Sequence, residues 1–176
     1  SEVIERSCIV TFDVEDIDQV MRGIRDDLNL SARGSPWCSY EKDAKGERVC
    51  IEHLDRKDFL HEPAREWKEV GWVARRAWMT RTEMRKRFRK ASGDAYRNAI
   101  FEVRKDDKDH GAADEKLKAG VWEIWSRDEN RVIWVTEGVD VFLDEQDPFL
   151  TLEGFFPCPR PAYGTLQRRS LIPVPD

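Results

Sequence analysis

The stretch "VWEIWSRDENRVIWVTEG", residues 121–138, decides the fold of this chain. Residues 121–125 and 131–136 are short runs rich in β-branched and aromatic residues, which is a pattern of strands. The polar run "SRDEN" between them has the length of a hairpin loop, and "EGVD" leads into a third run at residues 141–143. The sequence therefore predicts an antiparallel β meander.

Two helices are predicted before this meander. Residues 13–30 carry an apolar face at helical spacing, and acidic residues crowd the first turn, where the helix dipole favours them. This face consists of Ile17, Val20, Met21, Ile24 and Leu28. Thr80 and Glu83 have the spacing of a capping box, so a second helix should begin there, with Met84 and Phe88 on one face.

Shorter patterns complete the secondary structure. We expect strands at residues 7–12, 37–40, 48–52 and 70–79, with a turn at "DAKG", and a short helical turn in "HEPAREW", where Pro63 suits a first helical position. The predicted class is α+β, an antiparallel β meander with short helices. We divide the chain into a mixed α/β region (1–104), a polar loop (105–119), the meander (120–152) and a proline-rich connector (153–176).

The composition indicates a folded protein. Charged residues make up 37% of the 176 residues and the mean hydropathy is −0.70, but seven Trp and eight Phe can fill a core. No apolar run approaches the length of a membrane span, so we expect a soluble protein. The first residue is Ser, and proline-rich sequence runs to the last residue, so we expect the chain to be part of a longer protein.

Charge alternates along the chain. Residues 56–105 have 15 basic and 7 acidic side chains, a net of +8, whereas residues 106–153 have 5 and 14, a net of −9. Within the basic part, residues 81–90 hold six cations and one acid. This run could bind phosphate, pair with acidic residues of an adjacent copy, or form a solvated helix face.

Candidate chemistry is weak elsewhere. Cys38, Cys50, His53 and His61 lack the close paired spacings of a structural zinc site, and the acids at 13–18 lack the spacing and glycine of a calcium loop. No nucleophile elbow or glycine-rich phosphate loop is present. We therefore predict no catalytic residue, metal or cofactor. A metal-dependent enzyme stays as an alternative that these spacings do not favour. The four cysteines form no CxxC pair, which favours free thiols.

Three stretches of the sequence resemble one family. They are "SARGSPWCSYE" leading to "VCIEHLDRKDFLHEPAREWKEVGWVARRAWMTRTEMRKRF", then "VWEIWSRDENRVIWVTEG", and finally "LDEQDPFLTLEGFFPCPRPAYGTLQRRSLIPVPD". In this order they resemble the portal, or head-to-tail connector, proteins of short-tailed bacteriophages and related prophages. The resemblance covers most of residues 26–176 and implies a central fragment of a portal subunit.

This resemblance implies a structural role rather than an enzymatic one. Portal subunits form a ring, typically of about twelve copies, whose head-to-tail interfaces join unlike patches. The ring would lie at a capsid vertex of the virion, after assembly in the cytoplasm of the bacterial host. Terminase, scaffold and tail-adaptor proteins would be its partners, and double-stranded DNA would pass through without tight binding. Residues 1–104 would be wing- and stem-like, the meander would be clip-like, and the connector would lead to C-terminal helices.

Two groups of candidate site residues follow. We expect a first group, drawn from the basic stretches, to contact another subunit or DNA: Arg75, Arg76, Arg81, Arg85, Lys86, Arg87, Arg89 and Lys90. We expect a second group, from the meander, to face terminase or adaptor: Trp122, Trp125, Arg127, Asp128, Glu129, Arg131 and Trp134. Two readings of these residues compete with that assignment. The three Trp residues suit a core, and residues 81–90 suit a nucleic-acid-binding module.

Overall fold

The structure is a computed structural model that describes residues 2–43, 46–88, 95–102, 117–148 and 151–174. The chain is α+β, as predicted. Its helices and strands are, in chain order, α1 (Glu2–Val14), α2 (Ile17–Ser31), β1 (Arg33–Asp43), β2 (Gly46–Leu54), β3 (Phe59–His61), β4 (Trp72–Thr80), α3 (Arg81–Phe88), β5 (Lys118–Ser126), β6 (Arg131–Thr136), β7 (Asp144–Gln146) and β8 (Ala162–Tyr163). Short 3₁₀ helices occupy Arg56–Asp58, Trp67–Glu69 and Ala95–Asn98.

The chain divides into two compact units. Unit 1 consists of Ser1–Val70 and Leu152–Asp176, and unit 2 consists of Gly71–Thr151. The predicted boundary at residue 104 does not coincide with this division. It separated β4 and α3 from the meander, whereas β4 pairs along its whole length with β5. Strand pairing, which joins residues far apart in sequence, sets the boundary instead.

The N-terminal segment is helical, so the prediction of a strand at residues 7–12 is wrong. Its β-branched and aromatic residues favour extended structure, but a strand needs a neighbour to pair its backbone groups. A helix satisfies those groups within itself, and Thr11 Oγ1 adds a bond to the Ser7 carbonyl at 2.9 Å. Helix α1 therefore extends over Glu2–Val14.

Helix α2 packs against the β1–β2 hairpin in unit 1. Its predicted face is confirmed at Val20 and Ile24, which are buried, while Met21 lies exposed at its edge. The helix begins at Ile17 rather than at residue 13, because Asp16 adopts a left-handed backbone conformation that separates it from α1. The hairpin spans the predicted strands at 37–40 and 48–52.

The C-terminal segment, residues 152–174, folds back within unit 1 as extended chain and turns. Strand β8 pairs with β1, the Cys38 amide donates to the Pro157 carbonyl at 2.8 Å, and the Leu171 amide donates to the Ala64 carbonyl at 3.0 Å. Its proline-rich sequence forms neither helix nor central strand, as expected. In the same unit, the predicted "HEPAREW" turn begins only at Trp67.

Unit 2 is built on antiparallel strands in the order β4-β5-β6-β7. The predicted strands at 70–79, 121–125 and 131–136 correspond to β4, β5 and β6. The third meander strand lies at Asp144–Gln146 rather than at 141–143. Leu143, just before it, is buried, and its amide donates to the Trp134 carbonyl at 2.8 Å. Most of the polar loop at 105–119 is outside the described residues, and its last two residues belong to β5.

Candidate functional site

Helix α3 carries basic side chains, and its first turn is fixed by side-chain hydrogen bonds. The Thr80 amide and hydroxyl donate to Glu83 Oε2 at 2.7 and 2.8 Å, and the Glu83 amide donates back to Thr80 Oγ1 at 3.3 Å. This is the predicted capping box, and these hydrogen bonds lower the pKa of the Glu83 carboxyl. Because Met84 and Phe88 are fully buried, the arginines lie on the remaining faces of the helix.

A cavity of about 380 Å³ opens beside α3. The described residues that line it are Arg81, Thr82, Arg85, Tyr96 and Arg97. Three of these five carry a guanidinium group and none is acidic. The Arg81 guanidinium also lies over the Phe101 ring, 4.1 Å from its centroid, which is a favourable cation–π distance. The described residues of the lining therefore include three positively charged side chains and no negatively charged one.

The second wall of this cavity comes from the segment at residues 95–102, which is anchored to the sheet. The Ile100 amide donates to the Glu137 carbonyl at 3.0 Å, and Glu102 and Lys118 exchange two backbone bonds of 3.0 Å. The turn at Gly138 has φ +85°, and a Cβ there would lie 2.6 Å from the Asn98 carbonyl oxygen. A glycine at 138 thus allows the segment carrying Tyr96 and Arg97 to approach β6 closely.

Arg75, a predicted subunit or DNA contact, forms an ion pair inside unit 2. Its Nε lies 3.0 Å from Glu123 Oε2, and the two side chains are only 18% and 9% exposed. Trp125 Nε1 donates to the other carboxylate oxygen of Glu123 at 2.8 Å. The register pairs Arg75 with Glu123 on the same face of the sheet. Arg75 is therefore not available for the predicted contact.

The other predicted basic residues separate into different environments. Arg87 pairs with Asp144 at 2.9 Å and lies over the Trp134 ring, 4.8 Å from its centroid. Lys86 is exposed and does not line the cavity. Arg89 and Lys90 lie outside the described residues. The structure thus brings Arg81 and Arg85 together and directs the rest of the described group elsewhere.

Arg76 lies on the opposite face of the sheet from Arg75. Its guanidinium is 4.6 Å from the centroid of Trp78 and 5.1 Å from that of Trp122, so it stacks between two half-buried rings. Gly120 makes room for this arrangement, because a Cβ there would lie 2.9 Å from Arg76 Cδ. The result is a half-exposed face on which one cation is held by two aromatic rings.

The predicted terminase- or adaptor-facing residues also divide between buried and accessible positions. Trp125 and Trp134 are 0% and 5% exposed and belong to the core, so neither can face a partner. They point to the face of the sheet that also carries Glu123, and burying their large rings is favourable there. Trp122 is half-buried on the other face.

At the end of the β5–β6 hairpin, the predicted residues remain accessible. Asp128 and Glu129 are exposed, and Arg127 is half-buried with its amide bonded to the Gly71 carbonyl at 2.7 Å. Arg131 lies 3.7 Å from Glu145 Oε1 and 3.2 Å from Asp147 Oδ1, on an exposed edge. A charged tip is thus available to a partner.

The cysteines and histidines considered for zinc have other neighbours. His53 Nε2 lies 2.8 Å from Asp27 Oδ2, and His61 Nδ1 lies 2.8 Å from the Glu62 carbonyl oxygen. Burial lowers the pKa of His61. Within the part of the chain that the structure describes, no three His, Cys, Asp or Glu residues are grouped to hold a metal ion.

Helix α1 has an unusual surface for a helix of its length. None of its residues 2–14 is buried. Six large apolar side chains, between 46% and 78% exposed, lie along it: Val3, Ile4, Ile9, Val10, Phe12 and Val14. Among the described residues, no helix is both long and apolar enough to cross a membrane.

Sequence reasoning missed Thr82, Tyr96 and Arg97. Thr82 lies inside the basic run but was not singled out, and "AYRN" at residues 95–98 has no motif or periodicity that would connect it with α3. A cationic residue a short distance after a basic helix was the only available signal. No family model matches this chain, and no curated protein matches it significantly.

Proposed function

We propose that this chain is part of a portal subunit, a structural protein that forms a ring with neighbouring copies at a capsid vertex. The observation that carries the proposal is helix α1, which buries none of residues 2–14 and exposes six large apolar side chains. An apolar surface of this kind is typical of a protein-interaction site. In a ring, a neighbouring copy of the chain would cover it.

The resemblance in three ordered stretches supports the same role. It includes the β1–β2 and β4–α3 regions, the β5–β6 hairpin and the C-terminal segment, so it draws on both units. The charged tip with Asp128 and Glu129 is the surface that we propose for terminase or tail adaptor. Scaffold proteins would be further partners, and the assembled ring would belong to the virion.

The distribution of cations supports a conduit that does not hold DNA tightly. Arg75 and Arg87 are paired with acids of their own unit, and Arg76 is stacked between two rings. Fewer cations are therefore free to neutralise phosphates, each of which would add salt-sensitive affinity. The net charge of −5 also disfavours tight binding of DNA, because the phosphates are negatively charged.

Native mass spectrometry and negative-stain electron microscopy of the chain, and of a longer protein that contains it, test the proposal. We expect a closed ring with a central hole for the longer protein. Val10→Glu should reduce the assembled fraction, because it places a charge on the apolar surface of α1. Arg6→Gln changes the net charge of the same helix by the same one unit without removing apolar area and is the matched control.

Two results would contradict the ring proposal. One is a longer protein that remains monomeric across the whole accessible concentration range. The other is an equal effect of the α1 variant and its control, which would show that the apolar surface is not used in assembly.

A nucleic-acid-binding module is the second candidate, and the cationic cavity beside α3 favours it. The two candidates differ in how DNA binding depends on salt. A binding module that neutralises several phosphates would lose affinity steeply, with a slope of several units in a plot of log K against log salt. A conduit would show weak binding with a shallow slope.

A further inference from the structure

We infer that the cavity between α3 and residues 95–98 is a binding site for a phosphate group. Helix α3 supplies Arg81, Thr82 and Arg85, and the 3₁₀ helix supplies Tyr96 and Arg97. The inference does not depend on ring formation, because all of these residues lie in unit 2 of one chain.

The types of side chain in the lining fit phosphate. A guanidinium group presents its N–H donors in a planar fork that matches two oxygens of a phosphate, and three arginines are among the residues that line this cavity. The hydroxyls of Thr82 and Tyr96 are further potential donors. A doubly charged tetrahedral anion can accept from donors in more directions than a planar carboxylate, which has one charge and two oxygens.

Two of the arginines that line the cavity, Arg81 and Arg85, differ from Arg75 and Arg87 in their charge pairing. Arg75 and Arg87 each lie within 3.0 Å of a carboxylate oxygen. In the described ranges, neither Arg81 nor Arg85 has such an acidic partner, and the only acid of α3, Glu83, is bonded back to Thr80. Like charges that converge on one cavity repel each other, so a bound anion would stabilise the arrangement.

The geometry of the wall is consistent with a preformed site. Arg81 is held over the Phe101 ring at 4.1 Å, and Tyr96 is only 4% exposed. Residues 95–102 are attached to the sheet by the Ile100 and Glu102 backbone bonds. Holding donors in place before the ligand arrives reduces the ordering cost of binding. The volume of about 380 Å³ leaves room for more than the phosphate alone.

Isothermal titration calorimetry with inorganic phosphate tests the site directly. We expect saturable binding to the whole chain, and we expect Arg85→Gln to weaken it by about tenfold, because a charged hydrogen-bond donor is lost. Arg85→Lys should restore part of the affinity. Lys86→Gln removes the same charge from the next residue of α3, outside the cavity, and should change the affinity by less than about twofold. Thermal unfolding of each variant shows whether its fold is retained.

A second arm distinguishes free phosphate from a phosphodiester. A short DNA duplex without terminal phosphates replaces inorganic phosphate, and the same variants are compared at fixed salt. An effect of Arg85→Gln on inorganic phosphate alone identifies a free or terminal phosphate as the ligand, and an effect on the duplex alone identifies the nucleic-acid backbone. An effect on both means that the site accepts either source.

The inference is overturned if neither probe binds saturably. It is also overturned if Lys86→Gln weakens binding as much as Arg85→Gln, since that would indicate general attraction to a basic surface. A folded Arg81→Gln variant with unchanged affinity would contradict it as well. The ring proposal is tested separately, because Val10→Glu lies in unit 1 and should leave phosphate affinity unchanged.

Discussion

Replacing Glu123 with Gln removes one charge of the ion pair that Glu123 forms with Arg75 inside unit 2. The two groups lie 3.0 Å apart, and their side chains are 18% and 9% exposed. The change preserves size, and the amide oxygen can still accept the hydrogen bond from Trp125 Nε1. The measured effect therefore reports on the charge left on Arg75 within the core together with the loss of the hydrogen bond from Arg75 Nε, which would face the amide nitrogen.

The structure allows the size of this effect to be estimated. Removing one partner of a buried ion pair typically costs about 3–5 kcal/mol, because the remaining charge keeps its desolvation penalty. Arg75 retains some contact with water, which places the expectation at the lower end, about 3 kcal/mol of the free energy of unfolding. Glu145→Gln is the control, since Glu145 and Arg131 are 3.7 Å apart and both 45% exposed, and an exposed pair contributes at most about 1 kcal/mol.

Urea unfolding monitored by tryptophan fluorescence provides the assay. We expect a lower midpoint for Glu123→Gln at an unchanged denaturant slope, and a midpoint close to that of the unmodified chain for Glu145→Gln. The double variant Arg75→Met with Glu123→Gln should lose less than the sum of the two single changes, because the pair is coupled. Equal midpoints for Glu123→Gln and Glu145→Gln would refute the reasoning.

Two further changes test the backbone at Gly138 and the half-buried His61. Gly138→Ala should lower the unfolding midpoint by an amount equivalent to about 1–3 kcal/mol, because φ is +85° and the new Cβ would meet the Asn98 carbonyl. Gly154→Ala is the control and should have little effect, because a Cβ at 154 would lie in open space. Similar midpoints for the two variants would contradict this prediction. Burial lowers the pKa of His61 below 6.5, so its contribution to stability is complete above that pH and is lost as the pH falls toward the folded-state pKa. His61→Asn should therefore show a smaller fall in urea midpoint than the unmodified chain between about pH 7.5 and 5.5, and identical falls would disprove it.

Local patterns carried the predictions that were confirmed. The hairpin of β5 and β6 was readable because its two β-rich runs and its loop are both short-range signals. The start of α3 was readable because a capping box spans only four residues, Thr80 to Glu83. The buried side of α2 followed from apolar spacing at Val20 and Ile24.

The candidate sites were only partly predictable. Basic character around Arg81 and Arg85 was evident, but the cavity also needs Tyr96 and Arg97 from a segment with no distinctive pattern. Arg75 and Arg76 are adjacent in sequence and looked equivalent. The pleat sends them to opposite faces of the sheet, one to a buried carboxylate and one to a pair of aromatic rings.

The sequence by itself determined the α+β class, the β5–β6 hairpin and the start of the capped basic helix, because each depends on interactions between residues close along the chain. Only the tertiary structure decided that Trp125 and Trp134 belong to the core, and that arginines from two segments line one cavity. Those outcomes depend on which distant residue comes to lie beside a side chain, and burial and charge pairing are set by that neighbour rather than by local propensity.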